Sequence, residues 1–372
     1  SSYWLIGFWH EKETAGAAAL KAFLTNRIGD VVFFAGILLL LTRGGTISIP
    51  ELSAQLSGQT DVWLSIAGLC LLAGCIGKSA QFPLLVWLPD AMEGPTTASS
   101  LIHAATMVAA GVYLLLRTFP ILTPDVLLVA ACIGGITALA GAIAALWQPD
   151  IKKVLAYSTI AQLGIMVAGI GAGAWQASYL HLLTHAFFKC GLFLGAASII
   201  HALHTSYHHF HSHDDAQDLR LMGGLQKCLP NTFRTFSLSA AALMGIPFTS
   251  GFLSKDGILA GVLAKAAVQP VYYLIVSLLL LTSVLTAFYV GRQWLLVFHG
   301  KNRFLETKPE IQESEWIASF HDHDKRMQIP LGILGIASVW LAFSWNPMDG
   351  MTGWIASLMT VPGNAGTDTH TV

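Results

Sequence analysis

The sequence predicts an all-α fold, a polytopic bundle of membrane helices. Of its 372 residues, 54% are hydrophobic and 11% are charged, and the mean hydropathy is +0.61, whereas a soluble domain carries about 25% charged residues. Lys78 is the only charged residue between Asp61 and Asp90, and none lies between Asp125 and Asp150. Because a membrane span needs roughly 20 apolar residues, these gaps predict about nine full spans and a partial first one.

The predicted spans follow from the charge gaps together with proline, glycine and polar clusters. They lie near residues 20–42, 62–88, 98–118, 123–147, 153–173, 177–203, 232–264, 270–296 and 327–346, and residues 1–9 form the end of a tenth. Threading these spans alternately through a membrane puts fourteen Lys and Arg residues on one side and three on the other. By the positive-inside rule, the first side is cytoplasmic or its organellar equivalent.

Charge and cysteine content exclude several classes of function. The net charge is −1, so there is no basic excess to attract nucleic acid. The five cysteines are scattered without a CxxC pair, so they predict neither a disulfide framework nor a zinc site.

Three lysines remain inside predicted spans, namely Lys78, Lys189 and Lys255. An ionisable residue inside a membrane indicates function by default, although a lone lysine is as often snorkelling or structurally paired. Lys78 and Lys255 each lie near helix breakers, Pro83 in the first case and the run from Gly245 to Pro247 in the second. The two spans run in opposite directions, as in inverted-repeat transporters with discontinuous helices. The alternative is a pair of proline kinks that serve packing.

His181, His185 and Lys189 are spaced i, i+4, i+8, which predicts one polar stripe along an otherwise apolar helix. Groups that exchange protons near neutral pH fit a proton relay. Paired histidines could instead bind a metal or haem.

Three other polar features allow more than one interpretation. His103 is a lone histidine on an apolar helix, which is more often a core residue, and Asp30 either pairs with Arg27 or faces a polar interior. A histidine-rich stretch has the composition of a metal-binding tract, but a solvated loop is the favoured interpretation. Its members are His201, His204, His208, His209, His211 and His213.

With these residues in view, the sequence closely resembles the L subunits of bacterial proton-translocating NADH:quinone oxidoreductase, respiratory complex I, whose mitochondrial counterpart is NADH dehydrogenase subunit 5. The resemblance extends from about Ser2 to Phe298. The motifs that carry it are Asn26-Arg27-Ile28-Gly29-Asp30, Gly77-Lys78-Ser79-Ala80-Gln81-Phe82-Pro83, Trp87-Leu88-Pro89-Asp90-Ala91-Met92-Glu93, Leu101-Ile102-His103-Ala104-Ala105-Thr106-Met107, Lys153-Val154-Leu155-Ala156-Tyr157-Ser158-Thr159, Thr184-His185-Ala186-Phe187-Phe188-Lys189 and Gly251-Phe252-Leu253-Ser254-Lys255-Asp256.

The resemblance implies an antiporter-like fold of two inverted repeats. Residues 1–118 would end the first repeat, 119–300 would form the second, and 301–372 would hold a cytoplasmic loop, one further span and a polar tail. It implies that Lys78 and Lys255 are the lysines of the two broken helices and that His103 lies beside Lys78. His181, His185 and Lys189 would form the central axis between them. The candidate site residues are Lys78, His103, His181, His185, Lys189, Lys255, Asp256 and Asp30.

The resemblance also implies partners and location. NADH, FMN, iron–sulfur clusters and quinone would be bound by other subunits, so no cofactor is expected in this chain. The expected partners are other membrane subunits of complex I, especially the neighbouring antiporter-like subunit, together with the lipid bilayer and protons, but no nucleic acid. The expected location is the bacterial plasma (inner) membrane, in preference to the mitochondrial inner membrane.

The family places a membrane glutamate before the residues that match Ser2-Tyr3 and a lateral helix after the last span, so we expect this chain to be a fragment of such a subunit. One alternative function is the large subunit of a multisubunit cation/proton antiporter, which shares the lysine helices. The Trp87 to Glu93 motif favours complex I. A structural subunit that conducts nothing is the remaining alternative.

Overall fold

The computed structural model describes residues 2–56, 58–212, 214–308, 310–320, 325–350 and 353–354, and within them the chain forms helices and no strands. The α-helices are α1 (Ser2–Ile6), α2 (Glu13–Gly44), α3 (Ile49–Leu56), α4 (Val62–Lys78), α5 (Thr96–Ala104), α6 (Met107–Thr118), α7 (Pro124–Trp147), α8 (Ile151–Gly171), α9 (Trp175–His209), α10 (Pro230–Met244), α11 (Ser250–Val268), α12 (Tyr272–Phe298), α13 (Arg303–Thr307), α14 (Glu313–Ser319) and α15 (Lys325–Ala337). Short 3-10 segments occupy Leu85–Trp87, Asp90–Glu93, Phe119–Ile121 and Trp340–Ala342.

Within the described residues, six helical segments are long and apolar enough to cross a membrane. They are α2, the segment Thr96–Ile121 that includes α5 and α6, α7, α8, α9 and α12. The predicted spans 62–88, 232–264 and 327–346 are instead assembled from shorter helices. The all-α membrane bundle is therefore confirmed, and the chain is a multi-pass integral membrane protein. The division into repeats at 118 and 300 remains a prediction.

Two of the predicted spans are interrupted near lysines, as expected from their prolines and glycines. The helix of the 62–88 span ends at Lys78, and the 232–264 span is broken between Met244 and Ser250. A third interruption, at residues 105–106 within the 98–118 span, was not predicted. There the Thr106 hydroxyl donates to the Leu101 carbonyl at 2.8 Å, a side-chain bond that competes with the helical pattern.

The end of α9 differs from the prediction. The helix continues to His209, so His201, His204, His208 and His209 lie on it and do not form the solvated loop that we expected. Basic side chains are favourable in the last turn of a helix because they oppose the negative end of its dipole. His213 lies outside the described residues.

The centre of the bundle is α8, which is almost entirely buried between α7, α9 and other helices. Glycines allow α7 and α8 to approach closely: a Cβ atom on Gly134 would lie 2.4 Å from the Ala168 nitrogen, and one on Gly164 would lie 2.5 Å from the Ala138 nitrogen. Small residues at such crossings are typical of membrane helix pairs. Polar side chains on α8 therefore face protein and not lipid.

Candidate functional site

One face of α9 carries three ionisable side chains inside the bundle. His181, His185 and Lys189 are each 0% exposed, and their four-residue spacing keeps them on one side of the helix. The ring centroids of the two histidines are 6.3 Å apart. The structure therefore places the three side chains along one buried line, which we call the α9 line.

Lys189 is bound by neutral oxygen atoms. Its Nζ atom donates to the Leu155 carbonyl at 3.0 Å and to the Ser158 hydroxyl. The ion pairs found among the described residues do not include it. Carbonyl and hydroxyl oxygens accept hydrogen bonds from a charged or a neutral amine, whereas a carboxylate would strongly favour the charged form. The surroundings of Lys189 are thus compatible with both protonation states.

His103 joins the α9 line from α5. Its ring centroid is 4.9 Å from that of Phe193, which lies one turn beyond Lys189, and the ring is fully buried. Neither ring nitrogen of His103 or of His185 has a hydrogen-bond partner with good geometry among the described residues. We expected His103 beside Lys78, but the ring contact that the structure shows is with α9, because α5 packs mainly against that helix.

His181 differs from these two histidines because both of its ring nitrogens are hydrogen-bonded. Nδ1 lies 2.8 Å from the Ser254 hydroxyl, and Nε2 lies 3.1 Å from Oε1 of Gln162. Thr184, on the same helix, lies 3.0 Å from the Ser254 hydroxyl. Ser254 immediately precedes Lys255, so this network joins the α9 line to α11.

Lys255 binds a carbonyl that the break between α10 and α11 leaves available. Gly245 ends α10 with φ +80°, a left-handed conformation that glycine adopts without steric cost. Its N–H bonds to earlier carbonyls of α10, and the Leu243 carbonyl accepts from Lys255 Nζ at 2.9 Å. Lys255 is 5% exposed, and the ion pairs among the described residues do not include it. It therefore has the same kind of surroundings as Lys189.

The segment that follows α15 forms hydrogen bonds with the first residue of α11. The Ser338 carbonyl accepts from both the backbone N–H and the hydroxyl of Ser250, each at 3.0 Å. Irregular backbone at membrane depth is tolerated where it is buried in protein or lines a polar cavity. These bonds satisfy part of the backbone that the break exposes.

Lys78 and Asp30 form a second, less buried pair. Lys78 Nζ lies 2.9 Å from Asp30 Oδ1, and Arg27 approaches the same carboxylate at 3.5 Å. The Lys78 side chain is 37% exposed and lines a cavity of about 480 Å³ together with Asn26, Arg27 and Asp30. The sequence allowed Asp30 either to pair with Arg27 or to face a polar interior. In the structure its carboxylate contacts both Arg27 and Lys78. No hydrogen bond or ion pair found among the described residues joins this pair to the α9 line.

The structure does not bring Asp256 to the α9 line. Asp256 follows Lys255 directly, and a step of about 100° along a helix turns it away from the face that Lys255 occupies. It is exposed, whereas Lys255 and Ser254 are buried. Its role as a site residue remains a prediction without a contact to support it.

The charge pattern gave no indication of the uncharged partners, Ser158, Gln162 and Ser254. Ser158 and Gln162 are four residues apart on α8, and both are 0% exposed. Tyr289 on α12 lies close enough to interact with both of them. A search for polar residues at i, i+4 spacing within apolar spans would have found the α8 pair.

Metal binding by this site has no support from the geometry of the described residues. Among them, no group of three or more His, Cys, Asp or Glu side chains is arranged to hold a metal ion. His181 uses its two nitrogens on Ser254 and Gln162. What the arrangement can do chemically is hold, store and exchange protons.

Comparisons with known proteins agree with the resemblance found in the sequence. Residues 1–286 match the family model described as NADH:quinone oxidoreductase/Mrp antiporter, TM. NAD(P)H-quinone oxidoreductase subunit 5, organellar chromatophore 1, of Paulinella chromatophora is 47% identical over 377 residues, covering 95% of this chain and 55% of that protein. NADH-quinone oxidoreductase subunit L of Pseudomonas aeruginosa is 42% identical over 352 residues, covering 93% of this chain and 53% of that protein.

A solved structure extends the comparison to the fold. The structure of the Mrp complex from Dietzia sp. DQ12-45-1b contains a chain that matches with a TM-score of 0.70 and 26% sequence identity, covering 92% of this chain and 41% of that one. The chain described here spans about half the length of the curated relatives it matches.

Proposed function

This chain belongs to the NADH:quinone oxidoreductase/Mrp antiporter family of membrane proteins, and we propose that it translocates protons as part of a subunit of NADH:quinone oxidoreductase. In this proposal the enzyme oxidises NADH and reduces quinone in other subunits. The chain itself carries no redox step and moves protons between buried lysine and histidine side chains. The identities of 42–47% to oxidoreductase subunits support this assignment.

The observation that carries the proposal is the pair of buried lysines with neutral partners. Lys189 and Lys255 lie inside a membrane bundle, where a permanent charge is costly. Each lysine donates a hydrogen bond to a backbone carbonyl, and among the described residues neither forms an ion pair with a carboxylate. A structural lysine at such a depth is expected to be paired with an acid. Carbonyl and hydroxyl partners suit a lysine that alternates between the charged and the neutral form, because they accept hydrogen bonds from both forms.

Electrostatic coupling links the protonation of neighbouring groups along the proposed path. Lys189 and Lys255 are near enough to influence each other's charge, and Lys255 likewise influences His181. Because like charges disfavour each other, a proton on one lysine promotes release of a proton from the other. We propose that Lys78 receives protons at one end, the α9 line carries them laterally, and Lys255 releases them.

The wider assignment follows from the same proposal. NADH, FMN, iron–sulfur clusters and quinone belong to other subunits, and the expected partners are other membrane subunits, especially a neighbouring antiporter-like subunit. The proposed location is the bacterial plasma membrane. The relatives named for subunit L of a bacterial oxidoreductase support this location over the mitochondrial inner membrane.

A second candidate is the large subunit of a cation/proton antiporter. The fold similarity to a chain of the Mrp complex favours it. That similarity comes with 26% identity, below the 42–47% to oxidoreductase subunits. The discriminating observation is whether proton movement depends on NADH oxidation or on a cation gradient.

The test is proton pumping by the assembled oxidoreductase in membrane vesicles, driven by NADH with a quinone acceptor. Lys189→Met and Lys255→Met remove the ammonium group and keep an unbranched apolar chain. Lys265→Met is the matched control, because Lys265 lies at the other end of α11 and is half-buried beside Tyr272. We expect the first two variants to keep NADH oxidation and lose most of the pH gradient, and the control to pump like the native complex.

Two results would contradict the proposal. If assembled Lys189→Met and Lys255→Met complexes build the native pH gradient, the lysines are structural and the chain conducts nothing through them. If a sodium gradient without NADH drives proton movement that the same variants abolish, the antiporter is the better assignment.

A further inference from the structure

The surroundings of Lys189 differ from those of Lys255 by one hydroxyl group. Both lysines donate to a backbone carbonyl, that of Leu155 in the first case and that of Leu243 in the second. Lys189 also donates to the Ser158 hydroxyl, whereas among the described residues the hydrogen bond of Lys255 goes to the carbonyl alone. A carbonyl oxygen can only accept a hydrogen bond, but a hydroxyl can both accept and donate one. Ser158 therefore offers Lys189 a hydrogen-bond donor, which a carbonyl cannot supply.

The Leu155 carbonyl has more donors than it can satisfy fully. It accepts from Lys189 Nζ at 3.0 Å, from the Ser158 hydroxyl at 2.8 Å and from the Thr159 hydroxyl at 2.9 Å. It also lies inside α8, where the helical pattern brings it the N–H of the residue four places on. A carbonyl oxygen has two lone pairs, so these donors compete for it. The Ser158 hydroxyl can turn away without leaving the carbonyl unsatisfied.

The hydrogen of the Ser158 hydroxyl has two possible directions. The Leu155 carbonyl and Lys189 Nζ both lie within hydrogen-bond reach of the serine oxygen, and a hydroxyl rotates about its C–O bond to suit its partners. The Tyr289 hydroxyl also lies close to Ser158, but it directs its hydrogen to Thr286 at 3.3 Å. The serine oxygen is thus left free to accept from Lys189.

The two protonation states of Lys189 need different partners. A charged ammonium has three N–H donors and no lone pair, so Ser158 accepts from it and turns its own hydrogen to the Leu155 carbonyl. A neutral amine has a lone pair, and Lys189 is 0% exposed, so a lone pair without a donor is costly there. Rotation about the Cε–Nζ bond lets that lone pair accept from the Ser158 hydroxyl. The serine keeps its hydrogen in both states, so the only proton gained or lost is the one on Lys189.

We propose that Ser158 is a positioning residue for proton transfer, whose hydroxyl accepts a hydrogen bond from Lys189 in its charged form and donates one to it in its neutral form. This inference rests on the proposed function, because it assigns a role to a partner of a lysine in that proton path. It predicts that the hydroxyl at position 158 is needed for pumping. The hydroxyl of Thr159, which bonds to the same carbonyl but not to Lys189, is not needed.

The experiment measures NADH-driven proton pumping by the assembled complex in vesicles, with complex abundance and NADH oxidation measured alongside. Ser158→Ala removes the hydroxyl with little change in volume, and Ser158→Thr keeps it. Thr159→Val is the matched control, because Thr159 is also 0% exposed and donates to the Leu155 carbonyl, and valine keeps its branched shape. Lys255→Met serves as the marker of the proton path.

We expect Ser158→Ala to keep NADH oxidation and lose more than half of the pH gradient, Ser158→Thr to recover most of that loss, and Thr159→Val to pump like the native complex. Native pumping by Ser158→Ala would overturn the inference. So would a loss in Ser158→Ala that is equalled by assembled Ser158→Thr or Thr159→Val complexes. If Ser158→Ala does not assemble, Ser158→Cys replaces the hydroxyl by a thiol, which is a weak donor and a weak acceptor, and native pumping by that variant overturns the inference equally.

The marker separates the two hypotheses. If Lys255→Met pumps normally, the proposed function has failed. If Lys255→Met loses the gradient while Ser158→Ala keeps it, the proposed function stands and only the role of Ser158 is wrong.

Discussion

The contact between α10 and α11 allows the geometry around Lys255 to be tested without changing a charged residue. Gly251 lies in the first turn of α11, one turn before Lys255, and a Cβ atom added to it would lie 1.8 Å from the Ala242 carbonyl oxygen. The shortest distance that real Cβ atoms show is 3.0 Å. The substitution Gly251→Ala therefore forces α11 away from α10 by the difference, at least 1.2 Å.

The same displacement acts on the lysine. Lys255 Nζ is 2.9 Å from the Leu243 carbonyl, which is on α10 next to Ala242. If the lysine keeps its conformation and the shift acts along the line between Nζ and the carbonyl oxygen, the contact lengthens from 2.9 Å to about 4.1 Å, which is outside hydrogen-bond range. Overpacking of this kind costs about 1–3 kcal/mol of stability. We expect assembled Gly251→Ala complexes to lose most of the NADH-driven pH gradient while they still oxidise NADH.

Assembly is checked by native gel and pumping by a pH-sensitive dye in vesicles. Gly291→Ala is the matched control, because a Cβ atom at this helical glycine on α12 would have no heavy atom within 4 Å. An assembled Gly251→Ala complex that pumps like the Gly291→Ala complex would refute the argument that the Leu243 carbonyl must stay within reach of Lys255.

Two further predictions concern other parts of the bundle. Asp30→Asn removes the carboxylate that lies 2.9 Å from Lys78. We expect this variant to pump protons more slowly while the abundance of the complex is unchanged. Unchanged pumping would show that the ion pair is only structural. Gly164→Val places carbon atoms within 2.5 Å of the Ala138 nitrogen, so we expect a lower melting temperature of the purified complex. Gly16→Ala, with open space around it, should leave that temperature unchanged, and an equal fall in both variants would contradict the packing argument.

The sequence predicted the broken helix near Lys255 because its cause is local. Gly245 adopts a left-handed conformation and Pro247 cannot continue a helix, so the signals that end α10 at Met244 lie in the next three residues of the chain. The interruption at 105–106 has no such marker, because it depends on a side-chain bond from Thr106 to the Leu101 carbonyl. That bond competes with an otherwise ordinary helical sequence.

The position of His103 could not be read from the sequence. A lone histidine in an apolar span carries no information about which helix it faces, and we expected it beside Lys78. The structure places its ring 4.9 Å from that of Phe193 because α5 packs on α9. Asp256 illustrates the same limit: its neighbour Lys255 is buried, yet Asp256 is exposed, because adjacent residues in a helix point about 100° apart.

By itself, the sequence determined that the chain is a membrane helix bundle with lysines and histidines inside it. Charges in apolar spans are costly, so the few that occur stand out against their surroundings without any knowledge of the fold. The tertiary structure decided what those side chains bind. The partners of Lys189, His181 and Lys255 are hydroxyls, an amide and backbone carbonyls. Such uncharged groups have little effect on hydropathy, and they join the proposed proton path only because helix packing turns them toward its lysines and histidines.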